Sequence, residues 1–138
     1  MKATITGLMT LFNAGGSFYN DVAGRLFYSQ APDEVELPYA IFFSVSDVSD
    51  DVFAKDGAEV YIQFSLFSGA SSPGEIMDME THLSTMFKDV SFTVTGWTLV
   101  NMKRVQSSGP IYNMADVEAG TGFYWQTDVD FVISKQKS

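Results

Sequence analysis

The chain has no cysteine, a single histidine and no long apolar run. The first absence removes disulfides and thiolate chemistry, and it fits synthesis in a reducing cytoplasm. The second removes a multi-histidine zinc site, because His82 has neither a second imidazole nor a thiolate with which to share a metal. The third leaves nothing of the ~20 apolar residues that a membrane-spanning helix needs. Basic residues are scarce as well, 8 against 17 acidic ones, for a net charge of -9. Affinity for duplex DNA comes largely from Lys and Arg neutralising phosphates, so this balance disfavours a nucleic-acid grip. The clusters Asp33/Glu34/Glu36 and Asp47/Asp50/Asp51/Asp56 read as a solvated, self-repelling surface.

What is present is the material for a core. A chain of 138 residues with 46% hydrophobic content and 12 Phe is expected to fold as one domain over residues 1–138, burying about two-thirds of its unfolded surface. The N-terminal stretch MKATITGLMTLFNAGG begins as a signal peptide does. Thr, Gly and Asn interrupt its apolar positions, however, and no small-residue cleavage site follows. It reads instead as a helix of the domain over 3–14, with Ile5, Leu8, Met9, Leu11 and Phe12 at helical spacing and Gly15-Gly16 as its end.

The most informative stretch is 59–88, EVYIQFSLFSGASSPGEIMDMETHLSTMFK. Val60, Ile62, Phe64 and Leu66 alternate with Tyr61, Gln63, Ser65 and Phe67, the period of a strand with one face in the core. The period then changes. Ile76, Met79, Leu83 and Met86 recur as on an amphipathic helix. At the junction, Ser72, Pro73 and Glu75 have the spacing of a capping box.

Upstream, Ser17 to Ala23 supplies one more helical turn, and Arg25 to Tyr28 a short strand. Pro38 opens the strong strand YAIFFSVSD, whose nearly continuous apolar core implies burial. The connection 47–57 joins that strand to the next as a long hairpin. Downstream come a short strand near Phe92 to Val94, a strand from Trp97 to Ser107, a loop over 107–122 and a closing strand. That strand turns Phe123, Trp125, Thr127, Val129, Phe131 and Ile133 inward, and Tyr124, Gln126, Asp128 and Asp130 outward. The order predicts an α+β fold, a mainly antiparallel β-sheet with an N-terminal helix and a central helix packed on one face. Its sheet core is expected at Ile41, Phe43, Val60, Ile62, Phe64, Leu66, Trp125, Val129 and Phe131.

Candidate chemistry is thin. His82 lies beside the helix's apolar stripe with no evident partner for general-base work. Asp128 and Asp130 sit two apart on one strand face, as paired carboxylates do, but also as ordinary outward acids do. Asp47, Asp50 and Asp51 lack the glycine and distal glutamate of a calcium loop. Gly120 and Gly122 precede a strand rather than a helix, so they form no phosphate loop. No nucleophile elbow or P-loop occurs. No catalytic residue, metal or cofactor is expected, and the chain reads as a binding or structural protein.

The order of short motifs supports a more specific expectation. Gly24-Arg25-Leu26-Phe27, Ala31-Pro32 and Leu37-Pro38-Tyr39-Ala40-Ile41-Phe42 are followed by Phe64-Ser65-Leu66-Phe67-Ser68 and the helix from Glu75 to Phe87. This series resembles the tail-completion, or tail-terminator, family of long-tailed bacteriophages over about Leu8 to Ser134. The 47–57 connection and the acidic balance depart from the family pattern. The resemblance implies a non-enzymatic virion subunit made in the bacterial host cytoplasm and located at the tail end. It further implies a homo-oligomeric ring, commonly a hexamer, that caps the tail tube and stops its polymerisation. Such a ring offers a joining surface to the head connector, and DNA passes through it without specific binding. A ring requires two different, complementary faces on each subunit. The loops 47–57 and 107–121 expose isolated apolar residues, which makes Val52, Phe53, Ile111, Tyr112 and Met114 the expected contact residues. A reading of another class is a monomeric domain that binds a small ligand in a pocket under the aromatic-rich sheet. Mass in solution separates the two.

Overall fold

The computed structural model describes residues 2–49, 57–88, 90–92, 94–114 and 123–137. Among them the elements run α1 (Lys2–Asn13), α2 (Ser17–Asp21), β1 (Leu26–Tyr28), β2 (Tyr39–Ser49), β3 (Gly57–Ser68), α3 (Gly74–Phe87), β4 (Val90–Ser91), β5 (Trp97–Met114) and β6 (Phe123–Lys137). The strands form one sheet in the order β1-β2-β3-β6-β5-β4. Only the β1–β2 pair is parallel, and every other pair is antiparallel. This is the α+β architecture that the sequence predicts.

The helices are held by stripes of buried, mostly apolar side chains. α1 buries Thr4, Leu8 and Phe12, each four residues apart, and α3 buries Ile76, Met79, Leu83 and Phe87. Both stripes join one core with Phe42, Val60, Ile62, Phe64, Leu66, Val129, Phe131 and Ile133. Phe64 lies at its centre, with Phe42 at 5.6 Å, Phe87 at 5.1 Å and Phe131 edge-on at 5.5 Å between ring centroids. Each such pair contributes about 0.5–1.5 kcal/mol beyond the area it buries. The buried Thr4 hydroxyl accepts a hydrogen bond from Lys135 Nζ at 3.0 Å, and that ammonium also lies 4.4 Å over the Trp97 ring.

The N-terminal half is pinned by Arg25. Its guanidinium donates to the Pro38 carbonyl through Nε at 3.2 Å and a terminal nitrogen at 3.0 Å. That clamp sets the entry of β2 beside β1, where Leu26 pairs with Ala40.

Several expectations are corrected. β2 is turned opposite to the expected phase: Ala40 and Phe42 are buried, whereas Ile41 and Phe43 are only half-buried on the other face. The cause is register, since Phe42 pairs directly with Phe64 and opposed residues share a face. Trp125 is half-buried at the margin of the core rather than inside it. The capping box does not form. Pro73 precedes the helix without a side-chain cap, and Glu75 instead accepts from Ser68 Oγ at 2.7 Å, tying the end of β3 to the first turn of α3. The short strand expected near Phe92 is Val90–Ser91, and Val94 forms only an isolated bridge with Trp97. Residues 47–49 and 57 belong to β2 and β3 rather than to a connection. Residues 107–114, expected as loop, continue β5 alongside β6, with Ser107 opposite Val129 and Tyr112 opposite Trp125. Pairing with β6 holds them in the sheet without any apolar alternation, so periodicity gives no sign of it.

Candidate assembly interface

All described helices pack on the Phe64 side of the sheet, which leaves the other side uncovered among the described residues. Three bands of side chains cross that open face. The first is aromatic: Phe27, Tyr39, Phe67 and Tyr124, from β1, β2, β3 and β6, lie ring to ring at 6.5, 4.8 and 5.8 Å. Burial raises the Tyr39 phenol above its ordinary pKa, and the neighbouring Tyr124 adds to the rise.

The second band is a ladder of hydrogen bonds. Asp128 accepts from Ser65 Oγ at 2.7 Å and from Gln126 Nε2 at 3.1 Å. Asn113 Nδ2 donates to Gln126 Oε1 at 3.1 Å. Asp130 accepts from Gln63 Nε2 at 2.9 Å and, on its other oxygen, from Gln106 Nε2 at 2.8 Å. The two carboxylates are thus held by separate amide and hydroxyl donors and are not joined to each other. That arrangement stiffens the face and supplies no shared-proton acid–base pair.

The third band is a groove of about 330 Å³ floored by Tyr61, Gln63 and Asp130. Its flanks are Val45 from β2 and Val105 from β5. Each valine stands where the pairing register shifts, between Ser44 and Ser46 and between Arg104 and Gln106. Bulges of this kind re-aim a side chain. They leave Val45 58% and Val105 52% exposed. Neither valine was flagged by the sequence, because a bulge leaves no mark on periodicity.

Of the contact residues expected from sequence, Ile111 and Tyr112 are exposed, as anchors must be. They do not act together. Ile111 lies opposite Gln126 on the open face, whereas Tyr112 stacks on Trp125 on the helix side at 4.5 Å and 10°. Met114 is placed in β5 opposite Phe123, and its side chain lies outside the described residues, as do Val52 and Phe53 altogether. Just before Ile111, β5 passes close over β6. A Cβ on Gly109, whose φ is +108°, would fall 2.8 Å from the Gln126 carbonyl oxygen, so glycine is required there.

His82 does have a partner. Its Nδ1 lies 2.5 Å from Asp21 Oδ2, which ties α3 to α2. A hollow of about 170 Å³ adjoins it, lined partly by Ser17 and Thr85. Thr85 Oγ1 donates to the Thr81 carbonyl, and among the described residues no hydroxyl lies within hydrogen-bond reach of the imidazole. The pair has the orienting half of a catalytic triad, with no nucleophile hydrogen-bonded to it among the described residues. Among the described residues, no group of three or more potential metal ligands occurs.

No protein-family model and no curated protein matches the chain. The fold does match a solved structure. The chain is similar to one from the virion of a native gene transfer agent particle, with a TM-score of 0.69 and 12% sequence identity. The match covers 95% of this chain and 92% of that one. At that identity the likeness establishes a shared fold over nearly the whole length of both chains.

Proposed function

We propose that this chain is a non-enzymatic structural subunit of a phage-like particle, one that assembles as a ring, caps the tail tube and ends its polymerisation. The joining surface for the head connector is part of the same reading. The observation that carries it is the end-to-end fold match to a chain of a gene transfer agent virion. The order of sequence motifs that resembles the tail-terminator family supports it independently. The open sheet face adds physical support, because it is stiffened by hydrogen bonds yet covered by no described element. A small-ligand pocket under the sheet gains no such support: Phe12, Phe42, Phe64, Phe87 and Phe131 fill that space.

Ile111 and Tyr112 remain the contact residues of this proposal, with Val45 and Val105 added to them. The test is tube growth. Purified chain added to polymerising tail tubes should appear as a ring at one end of each tube in negative stain, and elongation should stop. Tyr112→Ala should keep the fold and lose the arrest. Tubes that continue to grow with the wild-type chain in excess would overturn the proposal.

A further inference from the structure

Asp130, in the floor of the open-face groove, is a carboxylate without a cationic partner among the described residues. Its two oxygens are held by neutral amides, Gln63 Nε2 at 2.9 Å and Gln106 Nε2 at 2.8 Å. A carboxylate offers about four lone-pair sites, so about two remain once the glutamines have donated.

The glutamines add to this surplus. Because Asp130 only accepts, it turns both amide nitrogens toward itself. Each amide oxygen is left for another donor, and neither accepts a hydrogen bond among the described residues. Tyr61, also in the floor, gives its hydroxyl to Glu59 at 3.4 Å. The floor thus joins negative charge to spare acceptors. The flanks are of opposite character, since Val45 and Val105 are apolar and more than half exposed.

From this pairing we infer that the groove receives an arginine side chain presented by a partner protein. The inference rests on the reading of Val45 and Val105 as contact residues, and it names what they contact.

An arginine answers each part of the groove. Its methylene stem covers the valines, as long cationic side chains cover apolar surface elsewhere. Its guanidinium carries five N–H donors and no acceptor, which suits a floor of acceptors. The planar fork addresses both oxygens of a carboxylate at once, and it stacks on aromatic rings such as that of Tyr61. A lysine ammonium is a compact, strongly hydrated point charge and matches such a spread of acceptors less well. Size agrees. The groove's volume of about 330 Å³ is that of roughly ten waters at ~30 Å³ each, which is ample for a long side chain and excessive for a single ion.

The arginine comes from a different protein. This chain has only two, Arg25 and Arg104. Arg25 is engaged with the Pro38 carbonyl, and Arg104 with Glu80 at 3.1 Å and Ser107 at 2.6 Å. A second copy therefore offers no uncommitted guanidinium. A net charge of -9 also favours a basic partner over another copy.

Capped tripeptides isolate the side chain for a test. Acetyl-Ala-Arg-Ala-amide is titrated into the isotope-labelled full chain, in parallel with peptides carrying citrulline, lysine or norleucine at the centre. Citrulline keeps the shape of arginine without its charge, and norleucine keeps only an apolar stem. NMR signals of the Val45 and Val105 methyls and of the Gln63 and Gln106 side-chain amides report on the groove. The arginine peptide should shift all four residues saturably. Binding should weaken about tenfold or more with citrulline, and likewise with Asp130→Asn, the size expected for losing a charge-assisted hydrogen bond. Lysine should bind several-fold more weakly, and norleucine should not saturate. The absence of a saturable shift with the arginine peptide would overturn the inference. Equal binding of citrulline or norleucine would overturn it by showing a groove indifferent to charge, and equal binding of lysine by showing that any cation suffices. The citrulline comparison holds even where Asp130→Asn does not fold. Neither rings nor tubes enter this titration, so its failure and a failure of the capping reading are told apart.

Discussion

Strands β3 and β6 carry two chemistries one residue apart. On the helix side, Val60, Ile62, Phe64, Leu66, Val129, Phe131 and Ile133 pack under α1 and α3 with almost no exposure. On the other side, Gln63, Ser65, Asp128 and Asp130 meet the same neighbouring strands through hydrogen bonds. The apolar face obtains its stability from area and dispersion, which require burial within this chain. The polar face needs no cover, because its groups satisfy one another across the strands. One face therefore makes the fold, and the other is left uncovered among the described residues. The lesson is that cross-strand hydrogen bonds let a sheet hold one face without a covering layer.

The largest effects are expected on the covered face. Phe64→Ala removes the ring that three other phenylalanines touch and should cost about 3–5 kcal/mol, and Leu83→Ala about 2–5 kcal/mol. Denaturant unfolding measures both. A cost within ~0.5 kcal/mol, as for a surface site, would place α3 wrongly. On the open face the expectation is smaller. Ser65→Ala removes one hydrogen bond to Asp128 and should cost about 1 kcal/mol. A loss above ~3 kcal/mol would mean that this face too is built by packing.

These two faces were not equally legible in the sequence. The alternation in β3 and the 3–4 spacing in α3 follow from residue type alone, so the core at Phe64 and Leu83 could be read directly. β2 could not be phased, because YAIFF is apolar at every position and only pairing with β3 decides which side is covered. The ladder was out of reach for another reason: Gln63 and Asp130, or Ser65 and Asp128, meet only once β3 and β6 are in register. The end of β5, SSGPIYN, has a glycine, a proline and no alternation, and therefore reads as loop. Ile111 and Tyr112 could be singled out as apolar residues in a polar stretch. Which face each occupies could not.

Charge sharpens the comparison at the level of the ring. In the proposed ring of six, copies at -9 each would carry about -54 (six times nine). Ring-wide repulsion acts over tens of Å and is screened as the Debye length falls from ~30 Å at 0.01 M salt to ~8 Å at 0.15 M, while contact pairs at the junction lose less. Sedimentation across that range should show assembly strengthening with salt. Duplex DNA should show no gel shift at physiological salt. Assembly that weakens steadily from low salt, or submicromolar DNA binding, would mean that attraction governs the surface.

The smallest effect belongs to the aromatic band. Burial, and then Tyr124, favour the neutral Tyr39 phenol in the folded state. The unfolded chain gives up this proton first, near pH ~10. The contribution to stability is therefore complete below that pH and falls as pH rises through the folded pKa. Tyr39→Phe should lessen the alkaline loss, and phenolate absorbance should show one fewer late-titrating tyrosine. An unchanged titration would place Tyr39 in water.

The division of labour itself is tested by one matched pair of substitutions. Met77 on α3 and Val105 beside the groove are both apolar and both 52% exposed, so Met77→Arg and Val105→Arg place the same charge at equally accessible points on opposite sides of the sheet. Ring formation on tail tubes, counted by electron microscopy for the two variants, should be normal for Met77→Arg and abolished for Val105→Arg, with both proteins folded. Rings that survive Val105→Arg and disappear with Met77→Arg would contradict the account.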